Sequence, residues 1–132
     1  EAVDVEMDSG CCGILYGADG ILTHANHYVS PGHPRYPYLD VFKGNSVIRH
    51  HRSGKLLRGI YGKISLEDVQ KVFSDHGNGP QSICRHRDLS LDRDKQTETV
   101  FSFVSNLTTL EMRLAPHNPC EGFLSIKPFD LL

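Results

Sequence analysis

The sequence predicts an α+β fold, an antiparallel sheet with helices on one face. Two observations carry this. Segments with strand character come first and last, with two helical segments between them. The better-marked helix, "SLEDVQKVFSDHG", has both a start and a stop signal, so the switch of period there is clear.

"AVDVEM" alternates apolar and acidic residues, the period-2 pattern of a strand with one face buried. "CCGILY" and "GILTHANHY" read as two strands joined by a turn at Gly17, Ala18, Asp19 and Gly20. "SPGHPRYPYLD" carries Pro31, Pro34 and Pro37 and must be a loop. "NSVIRHHRSGKLLRG" reads as a helix capped at Asn45 or Ser46, with Gly54 weakening its interior. In the second helix Ser65 and Asp68 have capping-box spacing. Leu66, Val69, Val72 and Phe73 form one stripe, and Gly77 ends it. After "SICRH" and a charged stretch, "TETVFSFVSNLTTLEMRLA" reads as a hairpin turning near Asn106 to Thr108, and "GFLSIKPF" as a last strand.

The 132 residues fit one domain able to bury a core. A net charge of −2 argues against nucleic acid or a polybasic membrane anchor as partner, and no apolar run reaches membrane-spanning length. The four cysteines, Cys11, Cys12, Cys84 and Cys120, form no CxxC pair, which argues against a zinc knuckle. A reducing, intracellular compartment is the simpler reading of unstapled thiols.

Several clusters invite a chemical reading. His24 and His27, three apart on a strand, would point to opposite faces, so they are not expected to share a metal. His33, His50 and His51 would join them only through tertiary contacts, so neither a metal nor a cofactor is expected. "SDH", Ser74 to His76, names a triad in a row, but consecutive helical residues cannot form a relay with one another. The run Arg49, His50, His51, Arg52, Lys55 and Arg58 would draw an anion, or simply form a solvated helix face. Cys84 beside Arg85 reads equally as an activated thiolate or as a small buried residue. Read from the residues alone, the sequence gives a fold class and no reaction.

Taken in order, "GILTHANHY", "SVIRHHR", "SDH", "SICRH" and "TETVFSFVSNLTTLEMRLAPHNPCEGFLSIKPF" resemble one family. It is the acyl-CoA:isopenicillin N acyltransferase-like group of N-terminal-nucleophile (Ntn) cysteine hydrolases. The likeness covers nearly the whole chain, with "THANH" and "SICR" its most specific pieces.

The resemblance implies a four-layer αββα sandwich, made as a precursor that cuts itself ahead of a cysteine. The freed thiol is the nucleophile, and the new α-amino group is its base. Substrates are small N-acyl compounds, with no resident cofactor and with acyl-CoA as a co-substrate where the acyl group is transferred. The family's nucleophile lies upstream of the segment matching Glu1, and Cys11 and Cys12 do not substitute for it. Residues 1–132 therefore resemble the C-terminal portion of such a domain, with the upstream half of the same precursor as partner.

By the same resemblance Asn26 is the oxyanion donor, while His24, His27 and Arg85 stand around it or the substrate. One departure matters. An Arg that the penicillin-forming member carries falls near Gln96 here, which leaves the substrate open. The alternative is a non-catalytic binding domain, or a degenerate relative that keeps only the fold.

Overall fold

A computed structural model describes residues 2–31, 33 and 40–127. They hold two α-helices and two antiparallel sheets, the expected α+β class, in two compact units, residues 1–59 and 60–132. Among the described residues no helix is long and apolar enough to cross a membrane.

In the first unit β1 (Val3–Met7) pairs antiparallel with β2 (Cys12–Tyr16), setting Val5 opposite Ile14 and Glu6 opposite Gly13. The alternation in β1 forms a strand, but with its polarity inverted. Glu6 is buried and Asp4 half-buried, while Val5 and Ile14 are 49% and 54% exposed. Glu6 can face inward because its carboxylate is fully supplied with donors, as shown below. Gly13 leaves room for the loop beyond β2, since a Cβ on it would run into the Ser30 side chain.

The turn after β2 forms as expected. Asp19 and Gly20 are left-handed at φ 54° and 74°, and the Ile21 N–H donates to the Ala18 carbonyl at 2.9 Å. The strand expected over "GILTHANHY" does not follow. Pairing stops at the single bridge between Ala18 and Ile21, because backbone N–H groups further along bond to side chains instead of to a neighbouring strand. Most of the loop expected over "SPGHPRYPYLD" lies outside the described residues.

Helix α1 (Asp40–Gly59) corrects its expected start. Asn45 and Ser46 lie inside it and cap nothing; their side chains serve the site instead. Gly54 is buried within α1, where a Cβ would crowd Arg58 and the hydroxyl of Thr23.

In the second unit α2 (Leu66–Phe73) starts at a complete capping box. Ser65 Oγ accepts the Asp68 N–H, and the Asp68 carboxylate accepts the Ser65 N–H, both at 3.2 Å. The helix stops at Ser74, whose N–H reaches back to Gln70, so it ends before Gly77. Strands β3 (Ser102–Asn106), β4 (Glu111–Ala115) and β5 (Leu124–Ile126) follow in order. The hairpin turns where expected, with Asn106 Oδ1 accepting the N–H groups of Thr108 and Thr109. Helix α2 packs on β3, and Val72, Val104, Ala115 and Pro119 are buried. Arg113 of β4 ties the sheet to α2 through Gln70 and Glu67. The other sheet face carries Phe103, Met112, Leu114, Leu124 and Ile126; Phe103 is 55% and Leu124 60% exposed.

Candidate functional site

Asn26 is exposed, yet it is held from two sides. Its backbone N–H donates to Ser46 Oγ at 2.6 Å, and its side-chain Oδ1 accepts from Arg49 Nη2 at 2.6 Å. A guanidinium can only donate. The carboxamide oxygen must therefore face Arg49, and the Nδ2 group must face away. Among the described residues none takes up that N–H2 group. Arg49 is itself steadied by a bond from Nε to Asn45 Oδ1 at 3.0 Å, one helical turn back.

His27 shares the Ser46 hydroxyl, with Nδ1 2.7 Å from Oγ. Since that oxygen already accepts from Asn26, its proton is available to His27 Nδ1, which then acts as acceptor on a neutral ring. Burial, then the neighbouring His24, lowers the His27 pKa from 6.5, in keeping with a neutral ring. His50 is lowered in the same way, by burial and then by His27.

His24 and His27 were expected on opposite faces of a strand. Because the segment bends at Asn26 and His27, their rings lie side by side instead, 6.4 Å apart and 16° from parallel. His27 in turn lies 5.4 Å from His50.

Beneath this row sits Glu6. Oε1 accepts from His24 Nε2 at 2.7 Å and from the Val29 N–H at 2.6 Å, while Oε2 accepts the Ser30 N–H at 2.7 Å. Burial works against the charge, but the bonds from Ser30, Val29 and His24 outweigh it and hold the carboxyl at about 2, down from 4.5. Asp4 Oδ2 lies 3.7 Å from His24 Nε2, so Asp4, Glu6 and His24 gather with their ligand atoms within 4.8 Å of one another. Ser30 Oγ lies 2.6 Å from Nδ1 of the buried His33, whose ring stacks on Tyr28.

Arg85 lies in the second unit. Its Nη1 donates to Thr97 Oγ1 at 2.8 Å, and its backbone exchanges bonds with Thr99. Gln96 Nε2 donates to the Leu91 carbonyl and caps the charged loop, while Lys95 pairs with Asp92. Two further groups are not evident from the sequence. Ser46 and Arg49 look there like a helix cap and a solvated charge, although their spacing of three places them on one helix face. His76, Cys84, His86 and Cys120 converge as well, with all four ligand atoms within 4.8 Å of one another. Burial, and then a hydrogen bond donated to Cys84, push the Cys120 thiol up.

A fixed, uncharged amide N–H2 group is chemically able to donate to negative charge as it develops. The family model described as acyl-coenzyme A:6-aminopenicillanic acid acyl-transferase matches residues 2–121. The chain belongs to this acyltransferase-type family. No curated protein matches it.

Proposed function

We propose that this chain is part of an autoproteolytically activated N-acyltransferase or amide hydrolase in which Asn26 supplies an oxyanion-hole donor. The carrying observation is the Arg49 bond to Asn26 Oδ1, which leaves Nδ2 as the outward group. Neutral donors fixed in advance cost no reorganisation when charge develops.

In this reading the thiolate of an upstream N-terminal cysteine attacks the carbonyl carbon of an N-acyl substrate. The C=O π electrons move onto oxygen, and Asn26 Nδ2–H donates to that oxyanion. Collapse breaks the C–N bond, and the amine leaves with the proton that the cysteine's α-amino group took from the thiol, leaving a thioester. Water or a second amine then takes the acyl group, and the thiol is restored. Where acyl-CoA is the acyl donor instead, the same attack breaks its acyl C–S bond, CoA leaves as the thiol, and an amine then takes the acyl group.

The open apolar faces support a place in a larger sandwich. Val5 with Ile14, and Phe103 with Leu114, pair across strands on faces that a facing layer would cover. The upstream half of the precursor is the proposed cover. The test uses the complete protein with a small N-acyl amide, by mass spectrometry. Release of the amine and an acyl adduct on a newly exposed N-terminal cysteine are expected. A complete protein without such a cysteine, or with no adduct, would sink the reading.

A further inference from the structure

We propose that His76, Cys84, His86 and Cys120 form a closed tetrahedral site for one zinc ion, which staples three segments of the second unit. This goes beyond the acyl-transfer reading and shares no residue with it. It also runs against the expectation, drawn from spacing, that the chain holds no metal.

The distances carry the proposal. His76 Nε2 and His86 Nε2 lie 3.0 Å apart, and His86 Nε2 lies 3.3 Å from Cys120 Sγ and 3.8 Å from Cys84 Sγ. Zinc bonds of about 2.0 Å to nitrogen and about 2.3 Å to sulfur imply tetrahedral edges of about 3.3 to 3.8 Å. The three edges that meet at His86 Nε2 are near these values, and the remaining donor pairs lie within 4.8 Å of one another, close enough to draw in around one ion. Two imidazoles and two thiolates in a tetrahedron select zinc over hard cations such as calcium or magnesium. A two-iron cluster would spread its ligands further apart.

The backbone fixes this arrangement without help from the ligands. The Cys84 N–H donates to the Asp75 carbonyl at 3.0 Å, tying residues 82–86 to the segment that carries His76. Asn118 Nδ2 donates to the Arg85 carbonyl at 2.7 Å, tying in the 3-10 turn Pro119–Glu121 that carries Cys120. The same Asn118 nitrogen lies 3.9 Å from Cys84 Sγ, where its N–H supports a thiolate as outer ligand partners do. Cys84 is fully buried, whereas His76, His86 and Cys120 are exposed and leave an entry path. On binding, both thiols release their protons to solvent and both imidazoles coordinate as neutral rings through Nε2. Four protein ligands leave no open position, so the role is structural.

The test is metal analysis of the chain purified without chelating resin or added metal, together with cobalt substitution. One zinc per chain is expected, surviving dialysis and released when the thiols are titrated with a mercurial. Cys120→Ser and His86→Gln should lower the zinc content at least tenfold, and Cys12→Ser should leave it unchanged. Because ligand variants can misfold, the unaltered protein loaded with cobalt supplies the second reading. A thiolate-to-cobalt charge-transfer band and intense visible bands of tetrahedral cobalt support the site. Octahedral cobalt spectra, zinc lost on dialysis or retained in the ligand variants, or a Cys84–Cys120 disulfide in the isolated protein would each overturn it.

Discussion

Glu6 Oε2 accepts the backbone N–H of Ser30 at 2.7 Å, and this bond anchors β1 to the far end of the loop that carries Asn26. Its other oxygen takes two donors, so the carboxylate acts as a hub rather than as a surface charge.

That hub predicts acid sensitivity. The folded pKa of Glu6, about 2, lies below the ordinary 4.5. The stability it contributes is complete above about 4.5 and is lost as pH falls through about 2. For this buried group the contribution is roughly 3 kcal/mol. Glu6→Gln turns an N–H2 group towards at least one donor and should cost about 2 kcal/mol or more at neutral pH. Denaturant melts from neutral to acid pH measure both effects. A variant as stable as the parent, with the same acid limb, would show that the hub is energetically idle.

A second acid transition lies nearer neutrality. His27 and His50 both have folded pKa values below 6.5, so the unfolded chain binds protons there before the folded one does. Stability is complete above 6.5 and declines as pH falls towards the lowered values. The melting temperature should therefore drop between about pH 7.5 and about pH 5.5, and His50→Gln should reduce the drop. An unchanged melting temperature across that range would contradict the assignment.

The apolar faces predict association. Val5 and Ile14 in one sheet, and Phe103 and Leu124 in the other, are each about half exposed or more. Residues 1–132 produced alone should self-associate and show no acyl transfer or hydrolysis, while Val5→Thr with Phe103→Thr should raise the monomer fraction. Sedimentation reads the result. A monodisperse, cooperatively melting chain without these changes would show that nothing needs to cover those faces.

Local signals in the sequence were legible where both partners lie within a few residues. The Ser65 and Asp68 capping box, the Asp19–Gly20 turn and the Asn106 turn all form as read. The readings that failed turned on a distant partner. Ser46 looks like a helix cap because its real partners, Asn26 and His27, are far off in sequence. The inward face of β1 looks as though it should be apolar because the donors of Glu6 come from a loop of no regular structure. Cys84 and His86 meet His76 and Cys120 only through tertiary folding, so no spacing rule finds them.

The strongest prediction concerns Asn26 and the residue that aims it. In the complete, matured enzyme, Asn26→Ala should lower kcat by on the order of 10²–10³, about 3–4 kcal/mol, the usual cost of one oxyanion donor. KM should move much less, because the donor acts on charge that exists only in the transition state. Asn26→Asp separates folding from chemistry. Arg49 can hold an aspartate where it now holds Oδ1, so the fold survives, but the donor becomes a second negative charge and the loss should equal or exceed that of alanine. Arg49→Ala frees the carboxamide to turn its oxygen outward and should lower kcat by roughly tenfold, with Arg49→Lys recovering part of it. Maturation must be followed on a gel first, since self-cleavage can use the same donor. Matured Asn26→Ala working at the parental rate on an N-acyl substrate would make Asn26 a packing residue, and Arg49 merely its neighbour.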